Sequence, residues 1–235
     1  MSDQKNAPRP FVVDDEVMDR IRPMEHRDAG RVAELHGAAM GDSLWARLGH
    51  RFLTELYRGL VDNPRFLGFV YEERDDSGER VVRGFIGGST STSEMMKELF
   101  KSRWLVLGVA ATPKLVTSPS VIPLLAETGL YSLRSGDDEV EVPGESLFCS
   151  FEPGLRGKRI SGHINKVLFD DLASRGHKLV KVTTEVDNVG ANRQLASWGF
   201  ERRGEFRFYG KEMVRYLLDL TTSDRVEPIS RHPSI

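Results

Sequence analysis

The stretch of sequence that decides the fold runs from Glu145 to Phe200 and begins ESLFCSFEPGLRGKRISG. An apolar run at 146–151 is followed by a Pro-Gly turn and by a cationic segment at 156–162. A helical pattern then extends to Gly176, and a β-branched run at 178–186 leads into a second helical pattern that ends at Trp198-Gly199-Phe200. This order predicts a strand, an anion-binding loop, a helix, a second strand and a second helix.

The cationic segment lies where the first predicted helix begins. Free backbone N–H groups and the positive end of a helix dipole converge at such a point, so that phosphate can bind without a dedicated side chain. Arg156, Lys158 and Arg159 add positive charge to the same place. The pattern therefore predicts an anion site, and the alternative is a solvated basic turn with no ligand.

The stretch resembles the acyl-CoA core of the GCN5-related N-acetyltransferases (GNATs). That family has a loop Arg/Gln-x-x-Gly-x-Gly/Ala after a strand that ends near a proline, and later an Asn-x-x-Ala helix that ends in Gly-Phe. The residues in register here are Pro153, Arg156, Asn188, Ala191, Gly199 and Phe200. Two departures are present. Arg159 and Ser161 replace the loop glycines, and Leu195 stands where many members have a general-acid tyrosine.

The resemblance implies an α/β fold with a mixed, mostly antiparallel central sheet flanked by helices, and a helical insertion between the third and fourth strands. It also implies that acetyl-CoA or another acyl-CoA is the co-substrate. The co-substrate would be held where the strand at 145–151 splays from its neighbour, by the loop at 156–162 and by the helix that begins at Asn188. The residues expected to contact it are Cys149, Ser150, Phe151, Arg156, Gly157, Lys158, Arg159, Ile160, Ser161, Gly162, Asn188 and Asn192.

Two residues are candidates for proton transfer. Glu145 lies at the start of the strand, eleven residues before Arg156, as does the catalytic glutamate of histone-type members of the family. It is the predicted base, acting directly or through a water, unless it simply belongs to the acidic loop before it. Tyr209 could replace the tyrosine missing at Leu195 as the acid, although a strand tyrosine more often completes a core edge. Cys149 is expected to be a small buried hydrophobe rather than a nucleophile.

Composition excludes several classes of protein. A chain of 235 residues with 39% hydrophobic and 29% charged residues suits one globular domain. A net charge of −2 offers no global attraction to nucleic acid. The single cysteine excludes an intrachain disulfide, the six histidines lack metal-ligand spacing, and no apolar run approaches the length of a membrane span. These features predict a cytoplasmic protein with no metal, membrane or nucleic-acid partner.

The rest of the chain is expected to form one domain at 17–220, with a mobile leader at 1–16, a mobile tail at 221–235 and the helical insertion at 89–138. The insertion could be a lid over the acceptor cleft or the contact of a homodimer. Before it, one helix is predicted to bury a stripe formed by Leu44, Leu48, Phe52, Leu56 and Leu60. Trp45, His50 and Tyr57 lie off that stripe and are expected at the surface, or at the edge of a substrate groove.

The predicted function is transfer of an acetyl or other short acyl group from coenzyme A to the amine of a small molecule or sugar. One alternative is a catalytically reduced relative that binds acyl-CoA only as a ligand. It is suggested by the departures from the family pattern at Arg159, Ser161 and Leu195. Another is a related enzyme that takes its acyl group from a carrier protein or acts on an oxygen acceptor.

Overall fold

A computed structural model describes residues 11–41, 43–117, 142–208 and 210–227. These residues form one seven-stranded sheet in the order β1-β2-β3-β4-β5-β7-β6, in which every neighbouring pair is antiparallel except the parallel pair β4 and β5. The strands are β1 (Ile21–Pro23), β2 (Phe66–Arg74), β3 (Arg80–Ser89), β4 (Glu145–Phe151), β5 (Leu179–Glu185), β6 (Glu201–Phe208) and β7 (Lys211–Asp219).

Helices cover both faces of the sheet. In the described residues they are α1 (Asp15–Met18), α2 (Ala29–Ala39), α3 (Leu44–Arg47), α4 (His50–Val61), α5 (Thr92–Thr117), α6 (Ile160–Ser174) and α7 (Val189–Ser197). Helices α2 and α4 bury one core with Val70 and Phe85, and α6 buries the other with Tyr71 and Ile86. Residues 70 and 71, and 85 and 86, are chain neighbours that point to opposite faces, as the two-residue period of a strand requires.

The predicted fold class is confirmed, including a helix between the third and fourth strands. The apolar stripe from Leu44 to Leu60 is buried as expected. However, its helix is divided into α3 and α4 at Gly49, whose φ of 96° a helix cannot contain. The surface expectation for Tyr57 was wrong, because its ring is fully buried and its hydroxyl lies 2.7 Å from His36 Nδ1.

The insertion is described only in part. Helix α5 lies within the predicted insertion and kinks at Arg103. The rest of the predicted insertion after α5, residues 118–138, lies outside the described residues. The described end of the predicted leader contacts helix α6 through Phe11 and Asp14. The division into leader, domain and tail stays a prediction.

A bulge bends β4 where it passes β3. The pairing shifts between Gly87 and Gly88, which face Phe148 and Ser146 and leave Leu147 as the extra residue. A Cβ atom at Gly88 would lie 2.8 Å from the Glu145 carbonyl oxygen, so only glycine allows this approach.

Candidate functional site

Strands β4 and β5 pair only at their beginnings and then separate. Their parallel ladder consists of Glu145 with Lys181 and Ser146 with Val182, although each strand has seven residues. Beyond this point β4 continues along β3 and β5 continues along β7, so a gap widens between them. Helices α6 and α7 each begin shortly after the strand that precedes them, and their N-termini therefore lie at the wide end of this gap.

The loop that enters α6 has an unusual backbone. Gly157 has a φ of 81° and Arg159 a φ of 59°, and Arg159 is the only non-glycine residue with a positive φ in the described part of the chain. Within that part, no acceptor receives a hydrogen bond from the backbone N–H of Gly157, Arg159, Ile160 or Ser161. Outward N–H groups in such a turn, at the start of a helix, form a concave site for an anion.

The three cations of the loop are available to a ligand. Arg156, Lys158 and Arg159 are exposed, and no carboxylate among the described residues lies within ion-pair distance of them. Glu152, the acidic residue nearest to them in sequence, is instead engaged by Arg31 and by Arg83, the latter at 2.8 Å. The loop is therefore a locally positive surface in a chain whose net charge is −2.

The two asparagines of α7 support the other side of the gap. Asn188 caps the helix, because its Oδ1 accepts a hydrogen bond from the Ala191 N–H at 3.1 Å. Asn192 donates to the carbonyls of Glu185 and Val186, and its Oδ1 accepts from the Tyr216 hydroxyl at 3.1 Å. Both amides thus hold the junction between β5 and α7, and a cofactor contact for either stays a prediction.

The three residues of β4 that were predicted to contact the donor, Cys149, Ser150 and Phe151, differ in their exposure. Cys149 is exposed, so the expectation of a buried cysteine was wrong. Ser150 is buried and donates to the Leu35 carbonyl at 3.1 Å. The Phe151 ring packs over Gly84, where a Cβ would lie 2.1 Å from it. Ser150 and Phe151 could therefore meet a ligand in the gap only through their backbones.

Glu145 lies at the narrow end of the gap. Its Oε2 accepts a hydrogen bond from the Thr92 hydroxyl at 2.7 Å and lies 3.6 Å from Lys181 Nζ. The side chain is 15% exposed, and its Oε1 makes no hydrogen bond to a described residue. One carboxylate oxygen is thus fixed while the other remains accessible, an arrangement that suits a base.

An open cleft of about 2420 Å³ adjoins Glu145. Its walls come from α2, α3 and the start of α5 on one side and from β5, β6 and β7 on the other, and it reaches Asn188 along the edge of β5. His36 lies against this cleft, packed 5.1 Å from the Phe148 ring. Burial lowers the pKa of His36 from 6.5 to about 4, so its imidazole is neutral at physiological pH.

Most of the predicted site is brought together by the fold. The loop at 156–162, the end of β4 and Asn188 surround the wide end of the gap, and Glu145 occupies its narrow end. Ile160 is an exception among the loop residues, since its side chain is buried in the core. Tyr209 lies outside the described residues. Sequence reasoning missed His36, Thr92 and Lys181, which are far apart in the sequence and belong to no contiguous motif.

Solved acetyltransferase structures share this architecture. An N-acetyltransferase from Staphylococcus aureus Mu50 is 17% identical, and the alignment covers 84% of this chain and 99% of that one with a TM-score of 0.57. The protein yncA from Salmonella typhimurium, solved with its cofactor acetyl-CoA, is 15% identical over 90% and 98% of the two chains, with a TM-score of 0.52. A chain of the NatC complex bound to Gag peptide and CoA is 12% identical over 85% and 96%, with a TM-score of 0.51.

These likenesses establish the fold. The chain has the GNAT fold, with its mostly antiparallel sheet and its parallel, diverging central pair of strands. No protein-family model matches the sequence, and no curated protein matches it either.

The described residues include no helix with the length and apolar character needed to cross a bilayer. They also contain no group of three or more His, Cys, Asp or Glu side chains placed to hold a metal ion.

Proposed function

We propose that the protein is an N-acyltransferase that moves an acetyl or other short acyl group from acyl-CoA to the amine of a small molecule or sugar. The observation that carries this proposal is the gap between β4 and β5. At its wide end lies a loop whose outward N–H groups and three cations have no partner among the described residues, and at its narrow end lies a carboxylate. Two similar structures were solved with acetyl-CoA or CoA, which supports the same donor here.

The dimensions of the gap suit a long donor with a charged end. The diphosphate would bind the N–H groups of the loop and Arg156, and the extended pantetheine arm would lie along β4. From Phe151 back to Glu145 the strand spans roughly 20 Å, at about 3.3 Å per residue. The thioester would then reach the part of β4 where the sheet is still closed and the cleft begins.

The reaction needs few groups beyond this placement. The amine nitrogen attacks the thioester carbonyl carbon, the C–S bond breaks, and the sulfur leaves as a thiolate that takes up a proton. Glu145, through its accessible Oε1 or a water, would accept the proton lost by the acceptor ammonium. Backbone N–H groups of β4 that face the gap would stabilise the oxyanion. Tyr209 remains the proposed acid for the thiolate.

The acceptor would approach through the open cleft, which Glu145, Lys181 and His36 line. Its wall contains both apolar side chains, such as Trp45 and Phe100, and charged ones. This mixture suits a small organic amine.

The alternative is a module that binds acyl-CoA without turnover. Leu195, at the position of the family's acid, is buried in the core and cannot transfer a proton. Calorimetry with CoA and acetyl-CoA, followed by a thiol-release assay over a panel of amines, distinguishes the acyltransferase from the binding module. Binding with turnover of at least one amine supports the enzyme, binding without turnover supports the module, and the absence of binding to either ligand overturns both.

Replacing Arg156 by Ala is expected to weaken CoA binding by about 1–3 kcal/mol, because a charged hydrogen bond to the diphosphate is lost. Calorimetry measures this change. Arg207→Ala, an equal change in charge at an exposed residue of β6 that lies 3.8 Å from Glu212, is the matched control. Equal affinity of Arg156→Ala and the parent protein would remove Arg156 from the site.

A further inference from the structure

His163 lies directly beneath the loop, in the first turn of α6, and is only 2% exposed. Its Nδ1 is 3.0 Å from the Arg159 carbonyl oxygen, and its Nε2 is 2.9 Å from the Asp14 backbone nitrogen. A carbonyl can only accept and an amide N–H can only donate. The ring is therefore neutral, carries its proton on Nδ1 and is satisfied at both nitrogens.

The carbonyl that His163 holds belongs to the one non-glycine residue with a positive φ in the described chain. Arg159 has φ 59° and ψ 9°, a left-handed conformation that is unfavourable for a residue with a side chain. Its carbonyl also accepts from the Gly162 N–H at 3.0 Å. Two donors thus fix the direction of this peptide group, whose own N–H, that of Ile160, points away from the carbonyl.

His163 is itself held by a segment from the beginning of the chain. The Phe11 ring lies 5.0 Å from the His163 ring and 5.7 Å from Trp198. It also lies so close to Gly162 that a Cβ there would come within 2.7 Å of it. From the other end of the chain, the Arg225 guanidinium lies over the rings of Phe11 and Trp198 at 5.7 and 5.4 Å.

From this geometry we infer that His163 is a positioning residue for donor binding. It locks the Arg159 turn in the shape that receives the diphosphate, and it connects residues 11–18 to that turn. Nothing in the chemistry of acyl transfer requires His163 to touch the donor. This inference rests on the proposed function, because it assigns the loop to acyl-CoA.

A double-mutant cycle tests the lock. His163→Leu removes both hydrogen bonds but keeps an apolar side chain, and Arg159→Gly removes the need for a lock because glycine adopts positive φ freely. Loss of two hydrogen bonds should weaken CoA binding about tenfold in the parent protein. In the Arg159→Gly background the same change should weaken it by less than about threefold. Calorimetry gives both ratios, and circular dichroism checks that each variant is folded.

A second pair of variants isolates the contact with the beginning of the chain. Asp14→Pro removes the backbone N–H that donates a hydrogen bond to His163 Nε2, and it also removes the side chain that caps α1. Asp14→Ala removes the same cap and keeps the N–H. Asp14→Pro should therefore weaken CoA binding more than Asp14→Ala does, and equal affinities would overturn the connection to residues 11–18.

The unfolding of the same four proteins of the cycle needs no ligand. His163→Leu should lower the urea midpoint less in the Arg159→Gly background than in the parent protein. Equal effects in both backgrounds, in the midpoint and in CoA affinity, would overturn the role of His163. If the parent binds no CoA, the proposed function fails, and the midpoints alone then decide whether His163 locks the turn.

Discussion

Glu145→Gln is expected to lower kcat by about 10²–10⁴-fold, the range that a positioned general base contributes. Glutamine keeps the size of the side chain and an oxygen that Thr92 can donate to, so the fold around β4 should not change. What it loses is the ability to accept a proton from the acceptor ammonium. The affinity for CoA should stay the same, because the loop that we propose holds the diphosphate lies at the other end of the strand.

The pH profile gives the decisive measurement. If Glu145 is the base, the parent protein should lose activity on the acidic side as that base becomes protonated, and Glu145→Gln should lack that limb. Glu185→Gln is the matched control, since Glu185 also lines the cleft and also pairs with a lysine, Lys211, but lies at the opposite end of the described β5 strand from Leu179. A profile for Glu145→Gln with the same acidic limb as the parent would reject Glu145 as the base.

The neighbours of Glu145 make a base at this position reasonable. Lys181 is its partner in the first pair of the parallel ladder, and Thr92 begins the helix that follows β3. One carboxylate oxygen is thereby oriented from two elements that the sequence separates widely. Fixed orientation removes entropic cost from proton transfer, which is how a positioned group exceeds the same group in water.

Local sequence was sufficient for much of this site. The Pro-Gly turn, the cationic loop and the Asn-x-x-Ala helix are contiguous patterns, and the structure places them around one gap as expected. Hydrophobic periodicity likewise predicted the buried stripe of α3 and α4. These features depend on residues near one another in the chain.

Other features depend on contacts between distant residues, which a single sequence does not display. The register that joins Glu145 to Lys181 follows from how two strands meet. The left-handed turn at Arg159 would have been assigned to a glycine, and His163 contacts Asp14 across 149 positions of sequence. Tyr57 seemed exposed because it lies off the apolar stripe, whereas a second buried polar group, His36, gives its hydroxyl a partner.

His36 leads to a large effect on stability. Its ring is fully buried, so the folded protein resists protonating it and its pKa falls from 6.5 to about 4. The unfolded chain binds that proton at the ordinary pKa. Below pH 6.5 the unfolded state therefore binds more protons than the folded state, and stability declines as pH falls towards 4. Between pH 7 and pH 5 this residue should cost about 2 kcal/mol of the free energy of unfolding.

Urea unfolding at several pH values measures the effect, with His36→Gln as the comparison. Glutamine can still bond to the Tyr57 hydroxyl but does not titrate, so this variant should be less stable at pH 7 and should lose less stability on acidification. His177, whose pKa is also lowered by burial, is present in both proteins and does not affect the difference.

Parallel stability curves for the two proteins from pH 7 to pH 5 would show that His36 accepts its proton in the folded state. The imidazole beside Phe148 would then be a cation next to the cleft that we propose for the acceptor. A positive charge there would disfavour the ammonium form of an approaching amine, whereas the neutral ring lets it reach Glu145.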